Sequence, residues 1–227
     1  MATVILHHLN NSRSQRIIWF LEELGVNYEI KKYMRGPDKL APKELREVHP
    51  LGKSPVITDG DLTIAESGAI VEYLGEKYGN GKFVPTQGTR QYYDYKYWLH
   101  FAEGSMMPPL VMSLVFSEIE RRSPWLVSPI TRAISNTIHD SLIIPGITNQ
   151  LGFIEQHLSK NAWFAGDDIS GADIQMSFPV EAVLKSDRGN GRLAALVGPN
   201  TKAWMEKIHA RPAYKRGLEK GGEYAYA

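Results

Sequence analysis

Apolar positions change their spacing as the chain proceeds, and the changes divide it. Val4-Ile5-Leu6 reads as a short buried strand, followed by a polar loop from His7 to Ser12; Ile17, Ile18, Leu21 and Leu24 then recur at helical spacing until Gly25 stops the pattern. A strand therefore feeds a helix. Val26, Tyr28 and Ile30 alternate with Asn27, Glu29 and Lys31, the period of a half-buried strand, which completes a β-α-β unit with parallel strands and a right-handed crossover. After Gly36-Pro37 a short helix is predicted around Lys43 to Val48. Pro55 to Thr58 and Leu62 to Ile64 are apolar strands flanking Asp59-Gly60, a dipeptide suited to a hairpin turn that needs positive φ. Beyond them Ala69, Ile70, Tyr73 and Leu74 predict a helix to about Tyr78, with Ser67 at its start.

Residues 79–88, GNGKFVPTQG, hold three glycines and a proline, the composition of a linker. Past Thr89 no stretch alternates, whereas Tyr93, Tyr97, Phe101, Leu110, Val111, Leu114 and Val115 fall mostly three and four apart. The second half should be helical. Thr131 to Ser159 is one long helical candidate that Pro145-Gly146 should kink or break, because proline lacks a donor and its ring needs space. Ser170-Gly171-Ala172-Asp173 has the Ser-x-x-Asp form of a capping box and starts an apolar helix through Met176, Val180, Val183 and Leu184. A last helix is predicted near Thr201 to His209, with 210–227 left as a short tail. The expected layout is a sheet-and-helix domain over residues 1–80, a linker over 81–90 and an all-helical domain over 91–227.

Bulk composition removes several function classes. At 227 residues with 43% hydrophobic and 22% charged residues, the chain has ample material for a folded core. The 26 basic and 25 acidic side chains are mixed, for a net charge of +1, so nothing favours nucleic acid or an anionic membrane surface. There is no cysteine, which excludes disulfides, thiolate metal sites and a protein thiol nucleophile. His7, His8, Arg13 and Arg16 interrupt the start, and Pro108-Pro109 breaks the longest apolar stretch, so neither a signal peptide nor a membrane span is expected and the location expected is cytoplasmic. His7-His8 has no carboxylate or Cys at ligand spacing, and no metal site is expected.

Clusters that carry chemistry lie in the first domain. Asn10-Asn11-Ser12-Arg13-Ser14 sits at the start of the first helix, where donors and the helix dipole favour negative charge. Lys53-Ser54-Pro55 opens a strand, and a cis proline there would leave the Ser54 backbone free to pair with an extended peptide. At Glu66-Ser67, helix-start amides and a hydroxyl suit a carboxylate while the Glu66 side chain suits an amine. Each has a plainer alternative: a helix cap at Ser12 or Ser14, a trans proline opening an edge strand, and a capping pair at Glu66-Ser67. Together they describe a site for a short peptide with an α-amino-acid head, an extended middle and a negatively charged atom near Ser12. Met106, Met107 and Leu110, with Phe116 and Trp125, would either line an apolar pocket or simply fill the core.

These clusters, in this order before an all-helical half, resemble the cytosolic glutathione transferases. The resemblance rests on Ser12-Arg13-Ser14-Gln15-Arg16, similar to the S-x-x-x-R of the serine-type classes, and on His49-Pro50-Leu51-Gly52-Lys53-Ser54-Pro55, similar to N-P-x-G-K-x-P. It rests further on Glu66-Ser67 and on Ala165-Gly166-Asp167 with Ser170, Ala172 and Asp173. It looks most like the fungal and bacterial branches. It implies a thioredoxin-like α/β N-terminal domain followed by an all-α C-terminal domain, with glutathione as co-substrate and Pro55 cis. By the same resemblance Lys53 faces the glycyl carboxylate, Ser54 pairs with the cysteinyl unit, Glu66 and Ser67 hold the γ-glutamyl head, and Ser12, or alternatively Asn11, donates to the sulfur. Met106, Met107 and Leu110 would wall the pocket for a hydrophobic electrophile. The implied function is thiol activation for conjugation or peroxide reduction, in a homodimer, with a non-catalytic carrier of hydrophobic metabolites as the alternative.

Overall fold

The computed structural model describes residues 3–185 and 192–226. Its first half is a four-stranded sheet in the order β2-β1-β3-β4. Strand β1 (Val4–Leu9) runs parallel to β2 (Tyr28–Tyr33) on one side and antiparallel to β3 (Val56–Asp59) on the other, with Leu6 opposite both Ile30 and Ile57. Strand β4 (Leu62–Ala65) closes the hairpin through Gly60, whose φ of 62° is free of the strain a Cβ would add. Helix α1 (Ser14–Leu24) ends where Gly25, in the left-handed region, donates its N–H to the Leu21 carbonyl. A short α2 (Leu45–Val48) precedes the hairpin and α3 (Ser67–Tyr78) follows it.

Strand β1 runs three residues further than its apolar signal. His7 and His8, read as loop, are buried within it, and the His7 imidazole is satisfied by the Tyr33 hydroxyl at 3.0 Å and Thr58 Oγ1 at 3.2 Å. Cross-strand hydroxyls let a polar residue occupy a core position that hydropathy alone assigns outside.

From residue 90 to 226 every described regular element is helical. Helix α4 (Arg90–Phe101) passes through a π-helical turn, Ala102–Met106, directly into α5 (Met107–Arg122). Helix α6 (Ser128–Ile138) does the same through His139–Ile143 into α7 (Ile144–Leu158). The interruption predicted at Pro145-Gly146 is thus a π turn just before the proline. In both turns the next residue bonds five back, Met107 N–H to Ala102 and Ile144 N–H to His139, and a proline stands in the first turn beyond. The wider turn makes room for a ring that an α-helix would exclude.

Helix α8 (Gly171–Leu184) is the core of this half, buried from Gly171 to Val183 on every side. Its capping box forms as predicted. Asp173 is fully buried and accepts from Ser170 N–H (2.9 Å) and Oγ (3.1 Å), Phe164 N–H (3.0 Å) and Trp204 Nε1 (2.9 Å). After α9 (Arg192–Ala195) come α10 (Pro199–Ala210) and α11 (Pro212–Gly221), so the expected tail contains a helix. Its PAYKRGLEKG sequence opens with a proline at the first helical position and carries Ala, Lys, Arg, Leu and Glu, all good helix formers, but at ten residues it is too short to persist alone. The helix forms by packing on α1, where Gly217 lies so close that a Cβ would meet the Trp19 backbone N at 3.2 Å.

Removing the Asp173 carboxylate strands four donors, of which buried ones cost ~1–3 kcal/mol each. Asp173→Ala should therefore lower stability by about 3 kcal/mol or more, read as a fall in the urea midpoint at unchanged slope. A change below about 1 kcal/mol would contradict this account.

Candidate functional site

The loop from β1 to α1 separates two neighbouring side chains. Asn11 adopts φ 48°, a left-handed conformation that asparagine tolerates better than most residues, which leaves its side chain exposed while Ser12 is buried. Ser12 Oγ donates to the Leu9 carbonyl at 2.8 Å, lies 2.7 Å from Ser14 Oγ and accepts from Ser14 N–H at 3.2 Å. Ser14 Oγ in turn lies 2.7 Å from His8 Nδ1. Burial, with the nearby Lys32 charge, pulls the His8 pKa down to about 4, so this imidazole is neutral at pH 7. Asn11 instead meets the C-terminal segment, its Oδ1 accepting from Ala225 N–H at 2.8 Å.

The hairpin entrance supplies the next wall. The Ser54–Pro55 bond is cis. Ser54 Oγ donates to the His7 carbonyl (2.7 Å) and accepts from Leu9 N–H (3.1 Å), which pins the segment to β1. Among the described residues its own backbone N–H and C=O have no partner. Lys53 beside it is exposed and, among the described residues, without an ion pair.

Helix α3 begins at the third wall. Glu66, at φ 70° and ψ 117°, is exposed in a conformation that non-glycine residues hold at a cost of order 1–3 kcal/mol. It supplies no side-chain cap, and the first intrahelical bond is Ile70 N–H to Glu66 O, so the amides of Ser67, Gly68 and Ala69 have no acceptor within the helix. The Ser67 hydroxyl turns inward. It accepts from Arg16 Nη2 at 2.7 Å and from Gln175 Nε2 at 3.2 Å, and lies 3.4 Å from Glu103 Oε1. Arg16, fully buried, also reaches Glu103 and the Gln175 carbonyl, each at 2.5 Å. Its burial lowers the guanidinium pKa, and Glu103 opposes that effect. Glu103 comes from the π turn 102–106 and pairs on its other oxygen with Arg13 at 3.3 Å.

These walls enclose two adjoining cavities. The first, about 220 Å³, is lined by Lys53, Ser54, Glu66, Ser67, Arg13 and Glu103 among others. The second, about 200 Å³, is lined by Asn11 and Ser12, by Met107, Leu110 and Leu114 of α5, and by Phe178 of α8. Arg13 and Ser54 belong to both. Met106, predicted beside Met107, is wholly buried in the core instead, and Trp125 is exposed elsewhere. A cleft of about 550 Å³ near Asp59 and Lys77 contains none of the predicted residues.

Glu103, Gln175, Arg35 and Tyr226 were not anticipated. A polar residue inside an apolar helical pattern, such as Arg16 before Ile17-Ile18 or Gln175 between Ile174 and Met176, is a detectable sign of a buried network. Glu103 depends on the π turn, which no periodicity marks.

A four-stranded sheet with parallel and antiparallel strands, a cis proline facing a helix start, and an all-helical half closing the groove define a two-domain thioredoxin-like transferase fold. The chain belongs to the glutathione S-transferase family. Residues 1–76 match the model for the glutathione S-transferase N-terminal domain and residues 144–212 that for the C-terminal domain. Glutathione S-transferase 3 of Schizosaccharomyces pombe is 38% identical over 96% of this chain and 87% of its own. A crystal structure of a glutathione S-transferase from Actinobacillus pleuropneumoniae superposes with a TM-score of 0.74 at 32% identity, covering 98% of this chain and 94% of its own. A family member from Pseudomonas fluorescens, solved with two glutathione bound, gives 0.72 at 26% identity, covering 96% and 92%.

His8 is neutral in the folded protein and would charge when unfolded, so the unfolded state binds more protons between pH 6.5 and about 4. Its contribution is present above pH 6.5 and is lost as pH falls through that window. Wild type should lose up to ~3 kcal/mol more than His8→Asn between pH 7 and pH 4, compared by urea midpoints at each pH. Parallel losses in the two proteins would refute the burial argument for His8.

Proposed function

We propose that the first cavity holds glutathione and the second an apolar electrophile that the glutathione sulfur attacks. What carries this reading is that the cavities meet at Ser54 and Arg13, beside Asn11 and Ser12. A peptide lying along the first cavity has its α-carboxylate at the free amides of α3 and its ammonium between the Glu66 and Glu103 carboxylates. Its middle pairs with the Ser54 backbone, its far carboxylate meets Lys53, and its sulfur lies at the junction. The glutathione bound by the Pseudomonas fluorescens relative supports the choice of peptide.

A thiol of pKa ~8.5 is only a few per cent ionised at neutral pH. A charge-assisted hydrogen bond of roughly 1.5–3 kcal/mol to the thiolate would lower that by about one to two units. The thiol proton passes to solvent, the sulfur–carbon bond forms, and the leaving group departs with its bonding pair. Both candidate donors stand at the junction, and bookkeeping separates them. Turning the Ser12 proton toward sulfur gives up a buried bond to the Leu9 carbonyl, worth ~1 kcal/mol. Asn11 gives up nothing among the described residues, because Ala225 N–H occupies its Oδ1 and leaves both Nδ2 protons without an acceptor there. The donor in this proposal is Asn11 Nδ2, with Ser12 holding the loop in shape.

Asn11→Ala should reduce kcat/KM for an aryl halide about tenfold or more and raise the pKa of enzyme-bound glutathione, followed by thiolate absorbance, by about one unit. Ser12→Ala should lower stability while moving that pKa less. The reverse pattern assigns the sulfur contact to Ser12, and no pKa change in either variant sinks the activation scheme. Tyr93, Tyr97, Met112 and Val115 of α4 and α5 remain exposed, which supports a homodimer. Light scattering should return twice the 25.5 kDa chain mass, and a value near 25.5 kDa would reject the dimer.

A further inference from the structure

The second cavity has one side unlike the others. Met107, Leu110, Leu114 and Phe178 form an apolar wall, Asn11, Ser12, Ser54 and the Glu103-paired Arg13 face the glutathione side, and Arg35, in the segment after β2, borders the cavity with a half-buried guanidinium. Arg35 donates Nε to the Asn10 carbonyl (3.3 Å), Nη1 to that of Lys39 (3.0 Å) and Nη2 to that of Asn11 (3.5 Å). Of the five N–H donors on a guanidinium, one on each terminal nitrogen is left over. Among the described residues no carboxylate lies within ion-pair range of it. The contrast with nearby cations is informative: Arg13 and Arg16 pair with Glu103, and Lys39, Arg121 and Arg122 pair with Glu118. Tyr226, whose ring meets Phe178 edge-on at 5.5 Å, closes the same side.

An uncompensated charge beside an apolar wall is poorly hydrated and attracts an anion strongly, and the fork of a guanidinium matches a carboxylate. We propose that the electrophile taken by this cavity is an apolar body carrying a carboxylate, with Arg35 as the residue that selects for the acid. This deepens the transferase reading and rests on it. The reaction is unchanged in balance: sulfur bonds to the electrophilic carbon, the leaving group departs with its electron pair, and the thiol proton goes to solvent.

The test compares 4-chloro-3-nitrobenzoate with its methyl ester as acceptors of glutathione, in wild type, Arg35→Met and Arg35→Lys. The quantity read is the acid-to-ester ratio of kcat/KM, divided by the same ratio for the uncatalysed reaction. Arg35→Met should lower that ratio at least fivefold, and Arg35→Lys, which keeps the charge without the fork, should regain at least half of the loss. A ratio that Arg35→Met leaves within twofold of wild type overturns the assignment. So does an Arg35→Lys enzyme indistinguishable from Arg35→Met, because displacement of the Asn10–Asn11 loop would then explain the effect. A raised KM for glutathione at constant ratio would place Arg35 on glutathione's own carboxylate and would also overturn it. Should wild type turn over neither halide, the transferase reading falls. The Arg35 assignment is then decided by calorimetric binding of the two S-aryl glutathione products, acid and ester, under the same fivefold criterion.

Discussion

The burial of one charge organises this molecule. Arg16 lies on α1 with no access to water, and taking a guanidinium out of water costs several kcal/mol unless partners surround it. Its partners come from three separate elements: Ser67 at the start of α3, Glu103 from the π turn and the Gln175 carbonyl of α8. Each is where it is partly because the charge requires it. The start of α3, whose first three amides have no partner among the described residues, is thereby tied to α1 and α8 through Ser67. The head of the proposed peptide site is therefore positioned by a structural charge that need not touch the peptide.

The second organising choice is which residue of a pair faces the groove. Asn11 and Ser12 are adjacent, and a single left-handed residue decides that one is exposed and the other bonded to Leu9. The segment from Tyr224 to Tyr226 acts on the same residue from the far end of the described chain. Tyr224 anchors it by donating to Glu181 at 2.7 Å, and Ala225 N–H then sets which end of the Asn11 amide faces away. Residues separated by more than two hundred positions thus share one hydrogen bond.

Much of the fold was legible in the sequence because it follows from local rules. Alternation at 26–31, helical spacing at 17–24 and 69–74, the Asp59-Gly60 turn and the Ser170–Asp173 cap are all decided within a few residues. The misses share a cause. His7 and His8 look like loop until Tyr33, Thr58 and Ser14 arrive from elsewhere to satisfy them. Helix α11 is only ten residues long with a glycine inside it, too short to persist alone, and its contact with α1 holds it. Met106 and Met107 are neighbours in sequence, yet helix geometry sends one to the core and the other to the cavity. Clusters at loops and helix starts were readable as candidate chemistry; the direction each side chain takes, as at Ser67 and Ser12, depends on partners far along the chain.

A π turn amounts to an α-helix with one extra residue looped into it. Across Ala102–Met106 the face of α4 that packs Tyr95 and Trp98 is carried into α5 about 100° out of phase with an unbroken helix, since each residue of an α-helix turns by that angle. Deleting a single codon there would leave the reading frame and the helix intact. It would nonetheless rotate Met107 and Leu110 off the cavity relative to Trp98 and withdraw Glu103 from Arg16. The wall of the second cavity is thus set by a single extra residue in the backbone.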